Sequence, residues 1–369
     1  MQALLFRPSV PRYLGAKVLG RSYPVRALPL HLGGVPEPEP LRGFERLKVR
    51  LAGICGSDLG VLYGTTSPVL SPLYSFPAVL GHEILAELGG VRVVVNPMLA
   101  CHERGLPDCP ACARGDDHLC QNTAEGNLAP GMLGYCADLP GGFSQRILAH
   151  RERIFPIPSE IPDARAVLAE PLAVALRGVK PVVQAQPKEV LIIGAGTIGL
   201  LSVRVLRLLG YAGSVHVVAR RTYRAVLAKA MGASYTHTSA PSAQAAVQAQ
   251  RYRGLLRSTA WRGGFDVVIE ASGSPSALQH AVWAVEEGGQ VVLLGAPGAA
   301  FHDFSPHWSR EVRLSGSFGY NWDGFAEAVK LLGEAEGIEQ LVTAQYPLSA
   351  WPQAVAAAKR RAVKVVFKP

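Results

Sequence analysis

Charge is sparse in this chain: Asp, Glu, Lys and Arg make up 18% of its 369 residues, against a hydrophobic share of 49%. Such a composition supports a packed core and excludes a disordered chain. Its longest apolar stretch, Val190 to Val203, is broken by three glycines, so no membrane span is expected. The N-terminus, Met1-Gln2-Ala3-Leu4-Leu5-Phe6-Arg7-Pro8, lacks a basic segment followed by a long apolar one. That excludes a signal peptide and points to a cytoplasmic location. Basic residues outnumber acidic ones by 37 to 28, a formal charge of +9. They are scattered, with no stripe interleaved with aromatics, so nucleic acid is not an expected partner. The excess suits attraction of an anionic ligand.

No internal repeat is visible, and the length suffices for two domains with separate cores. Residues 1 to about 170 are rich in Val, Gly and Pro, with strand-like runs at Arg46–Leu51, Val91–Val95 and Phe143–Leu148 between turn signals. That texture predicts an irregular, mostly antiparallel β domain. From about Arg165 helical patterns alternate with the apolar runs Val190–Ile193, Val215–Val218, Phe265–Glu270 and Gln290–Leu294. Alternation of this kind predicts an α/β domain with a doubly wound parallel sheet. The Ala/Gln-rich segment Ala243–Gln250 reads as a surface helix. Strand candidates Arg313–Phe318 and Val363–Phe367 flank a helix near Phe325–Leu332, and the last fifty or so residues read as a return to the first domain.

The run Val190–Ile193 ends in Gly194-x-Gly196-x-x-Gly199. The first glycine permits a tight turn, the second a close approach of backbone to a pyrophosphate, and the third contact between strand and helix. A helix over Thr197–Leu209 aims its free N–H groups at that anion, which makes Gly194, Gly196, Thr197, Ile198 and Gly199 candidate cofactor residues. A second strand, Ser214–Val218, leads into Ala219-Arg220-Arg221, where an NAD-binding chain would carry an acid for the ribose 2′-hydroxyl. With no acid there and two guanidinium groups instead, NADP is favoured, and NAD is the alternative if the pair is only solvated.

Of six cysteines, Cys101, Cys109, Cys112 and Cys120 fall within twenty residues. Without an export signal the cluster reads as metal binding and not as a disulfide framework. Cys109-x-x-Cys112 sets two thiolates to converge on one tetrahedral zinc, with Cys101 and Cys120 completing a closed structural site. His102, Glu103, Asp108 and His118 lie near enough to replace a ligand. A second, dispersed set comprises the loop Gly53-Ile54-Cys55-Gly56-Ser57-Asp58 and the triplet Gly81-His82-Glu83. Taken singly, Cys55 and His82 read as a buried small hydrophobe and a core histidine.

These motifs, with Ala169-Glu170-Pro171-Leu172 and the glycine turn, occur in the order seen in the zinc-containing medium-chain dehydrogenase/reductase superfamily, and the chain resembles its alcohol, polyol and threonine dehydrogenase branch over essentially its whole length. The resemblance implies a GroES-like irregular β catalytic domain over residues 1–164, with the structural-zinc lobe at about 97–122. It further implies a Rossmann domain over 165–318 and a return to the catalytic domain over 319–369. Carried over, Cys55, His82 and Glu170 bind a catalytic zinc with one position open, Glu83 and Asp58 orient those ligands, and Ser57 passes on the substrate proton. An open zinc position acidifies a hydroxyl placed in it, and hydride then passes to nicotinamide. Ser272, Gly295, Ala296 and Phe318 would border the nicotinamide, and Lys364 falls near a basic residue that meets the pyrophosphate in some relatives. Read without the family, Lys364 is a surface lysine at a strand edge.

Three features depart from the family pattern. Gly60 stands where a relay histidine is often found, seven residues instead of two separate Cys101 from Cys109, and the segment Tyr63–Ala78 looks long. The expected activity is zinc-dependent hydride transfer between NADP and a secondary alcohol, polyol or amino alcohol. An NAD-dependent sugar, polyol or threonine dehydrogenase and a non-catalytic dinucleotide-binding protein are the alternatives. A small-molecule substrate and a homodimer or homotetramer, joined along the Arg313–Phe318 edge, are the expected partners.

Overall fold

A computed structural model of the chain describes residues 1–255, 258–299 and 301–369. The chain divides into two units, one formed by Met1–Glu170 with Tyr320–Pro369 and the other by Pro171–Gly319. No helix among the described residues is long and apolar enough to cross a membrane.

The first unit is built on a seven-stranded sheet, mostly antiparallel. At its centre Phe44–Gly53 pairs with Glu83–Leu88 on one side and with Arg146–His150 and Lys364–Lys368 elsewhere along its length. Its inner faces bury Leu47, Val49, Ile84, Ala86, Val93, Val95, Ile147 and Phe367, the alternation expected of strands with one face to the core. Register matters for chemistry here, because Gly53 lies opposite Glu83, and Val366, two residues beyond Lys364, also pairs with Gly53. A three-stranded sheet, Leu30–Gly34, Gln2–Phe6 and Ala78–Val79, completes this unit's strands. The strand Arg146–His150 lies a little beyond the expected Phe143–Leu148, since Phe143 sits in the turn bonded to Leu80 O.

The second unit is a six-stranded, wholly parallel sheet. Across the sheet the strands run Tyr235–His237, Ser214–Val218, Glu189–Ile193, Phe265–Glu270, Val285–Leu293 and Arg313–Gly316. Numbered by sequence within the sheet this is the order 3-2-1-4-5-6, whose reversal point lies between the first strand and the fourth. Gly194 and Ala271 follow the carboxyl ends of those two strands, where a ligand of such a sheet binds.

Two expectations for this unit need correction. The Ala/Gln-rich helix runs over Ala240–Ala246, earlier than Ala243–Gln250, because the Ser239 hydroxyl caps Ser242 N–H and Pro241 occupies the first turn. It is a surface helix with one face packed, since Ala240, Ala243 and Gln244 are buried while Pro241, Ser242, Ala245 and Ala246 are exposed. Gln250 instead opens a hairpin, Gln250–Arg253 with Thr259–Arg262, so a hairpin and not a helix precedes the strand Phe265–Glu270.

Candidate metal centre and nucleotide turn

The loop after Phe44–Gly53 ends in Cys55, which precedes the helix Gly56–Tyr63. Asp58, in the first turn, turns its carboxylate back to accept from Cys55 N–H at 2.9 Å, so one side chain starts the helix and fixes the cysteine backbone. The other oxygen of Asp58 accepts from Tyr135 Oη at 3.1 Å and stands 3.5 Å from His82 Nδ1. On the far side of that imidazole, His82 Nε2 lies 3.4 Å from the hydroxyl of exposed Ser57. His82, Asp58 and Glu83 are almost wholly buried, and among the described residues His82 Nδ1 has no polar contact closer than this approach of Asp58.

Donor atoms of Cys55, His82 and Glu83 lie within 4.8 Å of one another. Burial alone would lower the imidazole pKa, but the Asp58 carboxylate and the Cys55 sulfur raise it well above the ordinary value. The pocket is therefore built to receive positive charge. A sulfur, an imidazole and a carboxylate suit zinc, so the donor chemistry fits the metal.

Glu83 is the carboxylate of this group, and the expected ligand Glu170 stands outside it. Glu170 is buried, and its Oε1 accepts from Tyr320 Oη at 3.0 Å. Burial pushes its carboxyl up to about 7, with His82 pulling it down and Glu83 pushing it up, so it still senses both residues. Glu83 is placed by the sheet. A Cβ at Gly53, opposite it in register, would come within 1.9 Å of Glu83 Oε2, which explains glycine at that position.

Lys364 is no surface lysine. It is buried, and its ammonium donates to Glu83 Oε2 at 2.6 Å and to Ile54 O at 3.1 Å. Burial would lower its pKa, but the Glu83 carboxylate raises it. Those contacts engage the ammonium in the metal pocket of the first unit.

The four cysteines expected to act together do meet: the sulfurs of Cys101, Cys109, Cys112 and Cys120 lie within 4.8 Å of one another. Cys101 Sγ is 3.6 Å from Cys120 Sγ, close to the roughly 3.8 Å edge of a zinc tetrahedron with bonds of about 2.3 Å. The turn after Cys101 brings Cys109 round so that its N–H donates to the Cys101 sulfur at 3.3 Å. Backbone N–H groups of Cys112 and Gln121 hold the Cys109 thiol down to about 6, while burial pushes Cys120 up to about 11. Of the substitute ligands considered, Glu103 is held by Arg153 and Ala100 N–H, and His102 faces away from the sulfurs toward His150 and Glu152.

In the second unit the three glycines behave differently. Gly194 has φ +116°, which favours glycine, and its would-be Cβ meets Ser272 N at 2.9 Å. Gly196 has nothing within 4 Å of a would-be Cβ, leaving space over the start of the helix Thr197–Leu208. At Gly199 a Cβ would fall 1.8 Å from Gly194 O, so only glycine lets helix and strand approach. The cradle fits a pyrophosphate, with Thr197 and Ile198 in the first turn.

Ser272 lies in a turn held by buried Glu270, whose carboxylate accepts from Ser272 N–H at 2.8 Å and from Gly273 N–H at 3.1 Å. Gly295 packs against that turn, its would-be Cβ 2.2 Å from Gly273 N, and Ala296 follows beside Gly273. Phe318 is exposed. Arg220 and Arg221 are exposed at the start of the helix Thr222–Ala230. Arg224, one turn on, was not singled out from sequence; its guanidinium donates to Ala195 O at 3.1 Å and so reaches the glycine turn itself. Tyr135, Tyr320 and Glu270 were missed as well, since no local motif marks them.

Known families match this organisation. A model described as "Alcohol dehydrogenase GroES-like domain" matches residues 45–159, and one described as "Zinc-binding dehydrogenase" matches residues 197–334. The chain belongs to the zinc-containing medium-chain dehydrogenases. Within them it resembles the alcohol, polyol and threonine dehydrogenase branch. The L-threonine 3-dehydrogenase of Anaeromyxobacter sp. (strain Fw109-5) is 27% identical over 86% of this chain and 89% of its own. The sorbitol dehydrogenase of Bacillus subtilis (strain 168) is 27% identical over 98% and 99%. The structure of a zinc-binding dehydrogenase from Sinorhizobium meliloti 1021 bound to NADP superposes with a TM-score of 0.71 at 29% identity, covering 92% of this chain and 95% of that one. This dehydrogenase thus has the GroES-like and Rossmann domains of its family and is an alcohol dehydrogenase-like oxidoreductase acting on a small molecule with a nicotinamide cofactor.

Proposed function

We propose that this dehydrogenase transfers hydride between NADP and a secondary alcohol, polyol or amino alcohol, with zinc at Cys55, His82 and Glu170 and a second, structural zinc at Cys101, Cys109, Cys112 and Cys120. The observation that carries the reading is the meeting of the Cys55 and His82 donors, joined by Glu83, in one small volume with an exposed hydroxyl at its rim, while the buried carboxyl of Glu170 is near enough to sense His82 and Glu83. Zinc bound there supplies Lewis acidity that lowers the pKa of a substrate hydroxyl, and the nicotinamide accepts the hydride.

The protein's residues supply the rest. Asp58 holds the Cys55 backbone and faces His82 Nδ1, leaving Nε2 toward the metal side. Lys364 pairs with Glu83, whereas Glu170 accepts from the Tyr320 hydroxyl through Oε1 and has its other oxygen to offer. Ser57 takes the proton of the substrate hydroxyl and, being exposed, hands it to water directly. Such a route needs no histidine at Gly60, where a Cβ would stand 2.8 Å from Thr66 Oγ1. Arg220 and Arg221 grip the 2′-phosphate of NADP, while Ser272, Gly295, Ala296 and Phe318 border the nicotinamide side. Assembly as a homodimer or homotetramer is part of the same reading, with the sheet-edge strand Arg313–Gly316 as the seam.

Steady-state kinetics with both cofactors, over a panel of secondary alcohols, sugars and amino alcohols, tests this together with a metal count. Two zinc ions per chain and a higher kcat/KM with NADP are expected, and Arg220→Asp with Arg221→Ala reverses the preference. Unaltered preference in the variants removes the arginine assignment; protein without zinc that oxidises no alcohol removes the enzyme assignment.

A further inference from the structure

His102 follows Cys101 yet takes no part in the sulfur cluster. One ring nitrogen of His102, one of His150 and a carboxylate oxygen of Glu152 lie within 4.8 Å of one another. His102 Nε2 stands 3.2 Å from Glu152 Oε2, and the two imidazoles meet edge to face with centroids 5.1 Å apart. His150 ends the strand Arg146–His150 and is buried, with Nδ1 lacking a hydrogen-bond partner among the described residues. Its ring is clamped by Phe44, edge-on at 5.2 Å, and by the bare backbone of Gly43, where a Cβ would come 2.9 Å from Nε2. The His102 and Glu152 side chains are exposed, at 61% and 56%.

We propose that His102, His150 and Glu152 form a third metal site in this protein, one that takes an exchangeable divalent ion of the zinc class. A tetrahedral zinc with nitrogen and oxygen ligands at about 2.0–2.2 Å sets neighbouring donors about 3.3 Å apart, and the His102–Glu152 pair already has that spacing. The clamped imidazole of His150 is the fixed point, and two exposed side chains rotate onto it with little cost. An imidazole buried with an unpartnered nitrogen is expensive to maintain without a further ligand nearby. Two imidazoles and a carboxylate select zinc, copper or nickel over magnesium and calcium, which prefer oxygen. Three protein donors leave the remaining position to water.

The site joins two segments that other contacts also hold together. Arg153, next to Glu152, donates to Glu103 at 2.8 Å, next to His102. A bound ion would add a second fastening between the turn after Cys101 and the end of the strand Arg146–His150. Because two of its ligands are open to solvent, it exchanges with free metal.

Zinc titrated into the purified full-length protein, followed by calorimetry and by metal counts after equilibrium dialysis, tests the site. Wild-type protein takes up one equivalent per chain more than either His102→Ala or Glu152→Ala, and these variants bind that equivalent at least about tenfold more weakly. Nickel competes for it, and magnesium does not. Both substitutions are at exposed side chains, so unchanged thermal unfolding without added zinc separates lost ligation from misfolding. Equal zinc uptake by the wild type and both variants overturns the proposal, as does uptake that magnesium displaces.

Discussion

Tyr135 shows how much of the metal pocket rests on a single hydroxyl. Its ring packs beside His82, with centroids 5.3 Å apart, and its Oη donates to Asp58 at 3.1 Å. Asp58 in turn holds Cys55 and faces His82, so the tyrosine fixes the carboxylate that serves two proposed zinc ligands. Partners of this kind commonly change metal affinity by about 10–100-fold when removed. Tyr135→Phe keeps the ring and the packing but takes the donor from the Asp58 oxygen that faces His82. Competition with a chromophoric chelator should show zinc at the Cys55 site held at least about tenfold more weakly, with the four-cysteine zinc unaffected as an internal control. Wild-type retention of both ions would show that Tyr135 only fills space.

The glycine turn and the carboxylate clamp near Asp163 carry predictions at the scale of elements. Gly196→Ala meets no atom within 4 Å, whereas Gly199→Ala drives a methyl to within 1.8 Å of Gly194 O. The first variant should fold with an unchanged unfolding temperature and bind dinucleotide more weakly, because its methyl occupies the space left for the pyrophosphate. The second should lose stability by several kcal/mol, roughly the upper range for a core overpacked against backbone. Fluorescence titration with NADPH and thermal unfolding distinguish the two. Elsewhere Asp163, at the start of a short helix, accepts from Arg92 Nη1 at 2.7 Å and Arg50 Nη2 at 3.0 Å, tying two strands to that helix. Burial would raise its pKa, but the two guanidinium groups hold it below the usual carboxylate value. Its contribution is therefore complete above the unfolded-state pKa near 3.8 and is lost as the pH falls through the lowered folded-state value. Asp163→Asn should cost roughly 1 kcal/mol at pH 7, and the difference from wild type should shrink below about pH 4 in denaturant unfolding.

At the scale of the whole chain, the cysteine lobe is fastened to the first unit by buried charge. Arg104 donates to Leu99 O at 3.1 Å, Leu128 O at 2.8 Å and Gly131 O at 2.6 Å, and so stitches the lobe to the loop that delivers Tyr135. Arg153 bridges Glu103 and Asp117. A lobe so connected should fail as a unit when its metal is lost. Cys112→Ser, at a half-buried position, should reduce the zinc count by one and lower the unfolding temperature by about 5 °C or more, as expected when a structural zinc contributes to folding. An unaltered unfolding temperature with full loss of that zinc would show that the lobe is held by its arginines alone.

Local chemistry written in consecutive residues was legible without coordinates. The glycine turn, the four clustered cysteines, the loop carrying Cys55 and Asp58, and most parallel strands depend on spacing and periodicity within one segment. Contacts between distant segments were not. Tyr135 is 77 residues from Asp58, Tyr320 is 150 from Glu170, and Lys364 is 281 from Glu83. Their pairing follows from strand register and loop path, which no local pattern encodes. Only the folded chain decided that Glu83 joins the donor cluster while Glu170 stands back on Tyr320, and that the lysine near the C-terminus is buried beneath the metal pocket. The reason is physical: spacing along the chain determines which groups one turn can gather, whereas burial and charge pairing are settled by the sheet that brings remote turns together.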